Sequence, residues 1–207
     1  MFIEKTELRN PDAQRILEDA RSLFKQLGIQ KPEPEIVSSA DRMPTDLVIV
    51  LHGEIILPAQ MIGKLTPEEW KPLVASSIIF NYTILRGQNR GAVPRILLPL
   101  AAVIVLILVL ARALDPAGSN GFLETTLVGS MITGMVIVMM PLLNRYSQGG
   151  RLKADREAAG IVGRESMLES LTRVRALRKE WNLPRRSRGY GFTPSLNRRI
   201  AYLQRES

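Results

Sequence analysis

Cysteine is absent from the 207 residues, and histidine occurs once, as His52. Without thiols there is no disulfide framework, no thiolate metal site and no cysteine nucleophile, a composition suited to a reducing compartment. Without a second imidazole the chain cannot supply the histidine pair of a helical zinc site. A Gly-x-Ser-x-Gly stretch is also missing, which excludes the strained nucleophile turn of the α/β-hydrolases. The first residues, Met1-Phe2-Ile3-Glu4-Lys5, hold no apolar core of signal-peptide type, so the N-terminal segment is expected to stay where it is made.

Charge is spread unevenly along the chain. Residues 1–93 carry 11 Lys and Arg against 12 Asp and Glu, whereas residues 144–207 carry 15 against 6. The formal net charge of +8 therefore comes from the C-terminal segment. Between these parts lie two apolar runs, Ile96 to Ala111 and Thr125 to Leu143, joined by the turn Asp115-Pro116-Ala117-Gly118-Ser119-Asn120-Gly121. Runs of that length, one extended past Arg112, predict a transmembrane helical hairpin with spans at about 94–114 and 123–143. Arg86, Arg90 and Arg95 precede it, Arg145, Arg151, Lys153 and Arg156 follow it, and the turn has no basic residue. The distribution of basic residues then predicts a two-span cell-membrane protein with both termini cytoplasmic.

The flanks read as amphipathic helices and short strands. Asn10-Pro11 opens a helix whose Ala13, Ile16, Leu17, Ala20, Phe24 and Leu27 share a face before Gly28. Residues 35–38, 46–52 and 54–57 are strand-like, with a turn at Gly53, and predict a small β-hairpin or three-stranded sheet. Thr66-Pro67-Glu68-Glu69 is a capping box with proline at the first helical position, and the helix is expected to run through Trp70, Val74, Ile78 and Tyr82. Ala158, Ile161, Leu168, Leu171, Val174 and Trp181 predict one long amphipathic helix. A basic loop and a last helix opened by Thr193-Pro194 follow. The expected divisions are an N-terminal part over residues 1–93, the hairpin over 94–143 and a basic C-terminal part over 144–207.

In this order, three segments carry a resemblance. Gly63-Lys64-Leu65-Thr66-Pro67-Glu68-Glu69-Trp70, Ala154-Asp155-Arg156-Glu157-Ala158-Ala159 and Pro194-Ser195-Leu196-Asn197-Arg198-Arg199-Ile200-Ala201-Tyr202-Leu203 resemble the HtpX-type membrane zinc endopeptidases, the family that also includes the CAAX prenyl endopeptidases. The resemblance covers most of residues 10–203. It implies an α+β membrane protein, mostly helical, in which the hairpin carries a cytoplasmic peptidase-like domain. It places Ser76 and Ser77 where the family has its first zinc-binding His and its general-base Glu, and Phe80 where it has the second His. Arg151 falls on the third ligand, a Glu, and Thr193 on a His of the tail. These degenerate positions imply a pseudopeptidase with no catalytic residues, metal or other cofactor.

Three functions follow as expectations. The first is a non-catalytic accessory, structural or regulatory subunit whose partners are the lipid bilayer and other membrane-protein subunits. The second is a membrane-tethered binder of anionic lipid or, less favoured, nucleic acid through Arg185, Arg186, Arg188, Arg198 and Arg199, which equally serve as positive-inside and solvated residues. The third is a hydrolase using Ser76 or Ser77 with His52 as base, residues that also suit ordinary packing and edge positions. A peptide groove at the edge of the 46–52 or 54–57 strand is a further expectation from the resemblance.

Overall fold

The computed structural model describes residues 5–41, 43–85, 121–183 and 193–205, together with residues 87, 102, 105 and 109. The chain divides into two compact units, one made of residues 1–85 and 147–207 and the other of residues 86–146. The two flanks that the sequence separates by 61 residues thus fold as a single unit.

Within the first unit, β1 (Lys5–Glu7), β2 (Ile36–Ala40), β3 (Ile49–Leu51) and β4 (Glu54–Pro58) form one sheet in the order β1-β2-β4-β3. β1 and β3 pair antiparallel with their neighbours, and β2 and β4 run parallel. The expected hairpin is β3–β4. Its two-residue turn places His52 at φ 51° and Gly53 at φ 78°, the left-handed pair that matches the twist of the flanking strands. β1 and the parallel pairing go beyond the sequence reading, because three residues of mixed polarity give no alternating signal.

Strand alternation sends Val37, Val50, Ile55 and Leu57 into the main core. There they meet α1 (Pro11–Gln26), whose Ala13, Ile16, Ala20, Leu23 and Phe24 are buried. Asn10 caps α1 by accepting from the Ala13 N–H at 2.8 Å. α2 (Pro67–Ile78) adds Trp70, Leu73, Val74 and Ile78, and its last turn passes directly into a π-helical segment, Ile79–Ile84. The opposite sheet face carries a smaller cluster of Ala40, Met43, Leu47 and Ile56.

The C-terminal helices are α3 (Gly121–Val162), α4 (Arg164–Glu180) and α5 (Leu196–Arg205). One long helix was expected through Trp181. Instead Gly163, at φ 94°, separates α3 from α4, a backbone conformation that side-chain-bearing residues rarely adopt. Trp181 lies just past α4, is 56% exposed, and receives the Lys64 ammonium over its ring at 4.0 Å. The Arg164 guanidinium donates to the carbonyls of Leu203 and Gln204 at the end of α5, which ties the two helices together.

Among the described residues no helix is long and apolar enough to cross a membrane. The expected transmembrane hairpin, the membrane protein class built on it and the two-span location with cytoplasmic termini are corrected accordingly. The first apolar run, at residues 94–114, lies outside the described residues. The second, at 123–143, is part of α3, which has 42 residues and continues unbroken through Arg145, Arg151, Lys153, Asp155 and Arg156. Inside the run, the described residues of α3 include Gly129, Ser130, Thr133 and Gly134, which are small or weakly polar, and from Arg145 onward the helix is charged.

Candidate functional site

The capping box fixes the rotational phase of α2. Thr66 Oγ1 accepts from the Glu69 N–H at 3.3 Å, and the Glu69 carboxylate accepts from the Thr66 N–H at 2.8 Å. Ten and eleven residues later, Ser76 and Ser77 face inward and are fully buried. Phe80 and Asn81 follow in the π-helical segment, where the wider turn re-aims side chains relative to a continued α-helix.

β3 supplies acceptors to this face of α2. The two-residue turn makes Leu51 and Glu54 the hydrogen-bonded closing pair, so Val48 and Val50 direct their polar groups away from β4. Ser77 Oγ donates to the Val48 carbonyl at 2.7 Å, Asn81 Nδ2 donates to the Val50 carbonyl at 2.9 Å, and Arg151 Nη2 reaches the Val48 carbonyl at 3.3 Å. The Arg151 guanidinium also lies over the Phe80 ring, 4.4 Å from its centroid. The outer edge of β3 is therefore occupied by side chains of its own molecule, and β4 is interior. This corrects the expected strand-addition groove, since an added strand needs those carbonyls free.

Behind Ser76 lies a buried ion-pair network. Ser76 Oγ donates to Asp155 Oδ1 at 2.5 Å. Arg199, 4% exposed, grips the fully buried Asp155 with Nε on Oδ2 and Nη2 on Oδ1, both at 2.7 Å. Its Nη1 turns to Asp46, donating to the backbone carbonyl at 2.9 Å and the carboxylate at 3.2 Å. The two-pronged geometry is the strong form of an arginine–carboxylate contact. The network joins α2, α3, α5 and the segment before β3.

Electrostatics separates the two buried arginines. Burial opposes the charge of Arg199, but the attraction and hydrogen bonds of Asp155 and Asp46 outweigh it and hold the guanidinium pKa above its ordinary value. For Arg151, burial and repulsion by Arg199 prevail over attraction to Asp155 and Asp46, lowering its pKa to about 10. Asp155 therefore pairs with Arg199, across 44 residues of sequence, and not with Arg151 one helical turn away.

Four of the five degenerate positions come together. Ser76, Ser77, Phe80 and Arg151 lie on adjoining turns of α2, its π-helical extension and α3, around the Val48 carbonyl and Asp155. Thr193 lines a separate cleft of about 420 Å³ with Pro44, Asp46, Arg178 and the start of α5. A zinc ion does not fit the cluster: two hydroxyls, a phenyl ring and a guanidinium stand at the four positions, and the guanidinium is itself a cation. Among the described residues no group of three His, Cys, Asp or Glu side chains assembles that could hold a metal ion. Neither serine hydroxyl is bonded to His52, which sits exposed on the β3–β4 turn, so the serine-hydrolase reading lacks its nucleophile–base contact.

Of the five arginines assigned to an anionic surface, Arg185, Arg186 and Arg188 lie outside the described residues. Arg198 is exposed and donates to Gln148 Oε1 at 2.6 Å. Arg199 points inward, which corrects its assignment to a surface. Asp155 and Asp46 are not among the site residues expected from the sequence, yet with Arg199 they form the centre of the site. The available signal was that Asp155 and Arg199 both fall inside resemblance segments.

No family model and no curated protein matches the chain.

Proposed function

We propose that this protein is a non-catalytic pseudopeptidase on an HtpX-like scaffold that works by binding, as an accessory or regulatory subunit of a protein complex. One observation carries the reading. Positions that the resemblance assigns to two ligands and a general base on one helix, and to a third ligand on a distant helix, converge on a single point in space. Ser76 and Ser77 lie 79 and 74 residues from Asp155 and Arg151, and chance alignment gives no reason for such positions to meet. Asp155, hydrogen-bonded to Ser76, has the relation that an outer carboxylate bears to a ligand imidazole in zinc sites. The Arg151–Phe80 pair occupies the space in place of a metal.

Chemistry of the zinc type needs two neutral imidazoles, a carboxylate ligand and a second carboxylate as base. One histidine cannot meet that need. The deciding experiment is purification from the native source under gentle conditions, with mass spectrometry of associated proteins, elemental zinc analysis and a peptidase assay. The expected outcome is a stoichiometric protein partner without zinc-dependent cleavage. Stoichiometric zinc together with chelator-sensitive proteolysis overturns the reading, and recovery of the chain without any partner overturns the subunit role.

A further inference from the structure

Arg151 is a buried cation with spare donors. Its residue is 7% exposed, and no Asp or Glu oxygen among the described residues lies within ion-pair distance. Both carboxylates of the neighbourhood are taken by Arg199. A guanidinium has five N–H groups. Here one nitrogen, Nη2, makes a single long bond to the Val48 carbonyl. Among the described residues Nε and Nη1 have no protein partner, and neither is among the fully buried side-chain atoms that lack one. Among the described residues, the buried side-chain atoms lacking a partner are only Thr45 Oγ1 and Gln60 Oε1. The free edge of the guanidinium therefore reaches the surface through the small exposed part of Arg151.

We propose that this open edge of Arg151 is a binding site for a carboxylate carried by a partner peptide. The Phe80 ring covers one face of the guanidinium, leaving approach along its edge, where a planar carboxylate accepts well-aligned hydrogen bonds. A largely desolvated arginine binds such an anion more strongly than a surface arginine does, because water screens the pair less. The inference uses only charge balance and donor geometry, so it stands independently of the peptidase resemblance.

The test uses the 207-residue chain and four probes: sodium acetate against sodium chloride at equal ionic strength, and three short Gly/Ala peptides. One peptide ends in a free carboxylate, one is amidated with a central Glu, and one is amidated and neutral. Calorimetric titration and thermal unfolding are expected to show binding of acetate and of at least one carboxylate peptide, with none for the neutral control. Binding of the first peptide alone assigns the site to chain termini, and of the second alone to acidic side chains. Arg151→Met abolishes the effect, and Arg151→Lys weakens it about tenfold or more by losing the planar fork. Equal behaviour of acetate and chloride with no peptide binding, or undiminished binding in Arg151→Met, overturns the proposal. If Arg151→Met fails to fold, Arg151→Lys and the neutral peptide decide: binding equal to wild type in the lysine variant, or equal for the neutral peptide, overturns it.

Discussion

Arg151 and Arg199 lie in one cluster, are buried to almost the same degree, and have opposite electrostatic situations. Arg199 completes four hydrogen bonds to Asp155 and Asp46, and its charge is favoured where it sits. Arg151 has one long hydrogen bond and an aromatic face, and its charge is disfavoured where it sits. The difference separates a residue that holds the fold together from one whose cation the fold merely tolerates. Burial by itself is no measure of an arginine's contribution, because the desolvation cost is similar for both and only the compensation differs.

The sharpest way to break this comparison is Arg199→Met. It leaves Asp155 and Asp46 without their cation, and the expected loss is about 3–5 kcal/mol in urea unfolding. A loss below about 1 kcal/mol would mean that the network is not the tie between α3 and α5 described above.

Ser76→Ala removes one hydrogen bond from Asp155 while Arg199 still grips it. A loss of about 1–2 kcal/mol is expected from the same measurement, set by a buried carboxylate deprived of one of three donors. A value equal to that of Arg199→Met would move the centre of the network to α2.

Arg151→Met is expected to change stability least, by less than about 1 kcal/mol at pH 7, because relief of the disfavoured charge offsets the lost contacts. Its pH dependence sharpens the contrast. Below about 10 the guanidinium is charged in both folded and unfolded chains, and the cost of burying the cation is fully present. Between about 10 and the higher ordinary value of an arginine the folded state releases the proton first, so the unfolded state binds more protons and stability rises with pH. Wild type is therefore expected to gain stability relative to Arg151→Met as pH climbs past about 10. Parallel curves for the two proteins over that window refute the assignment.

Features set by neighbours in sequence were legible in advance. The Thr66–Glu69 capping box, the Asn10 cap, the buried stripe of α1 and the β3–β4 turn at Gly53 each depend on residues within a few positions. The meeting of Ser76, Ser77, Phe80 and Arg151 has no local signal, because these residues come from separate elements. The same local reading misjudged residues whose fate depends on distant partners. Arg199 sits in a basic segment and reads as solvated, yet its partner Asp46 lies 153 residues away. The run at residues 125–143 reads as a span from composition alone, whereas among the described residues no helix is long and apolar enough to cross a membrane. The break at Gly163 was hidden because apolar periodicity resumes on its far side with little change of phase.

By itself the amino-acid sequence determined the scarcity of metal donors, the helix caps, the turn chemistry and the charge asymmetry, all of which follow from composition or short-range geometry. Only the tertiary structure decided that the two flanks form one unit, that β2 pairs in parallel with β4, and that Asp155 takes Arg199 in preference to Arg151. Those outcomes depend on which distant groups share a desolvated volume, where a carboxylate binds the cation that can reach both its oxygens.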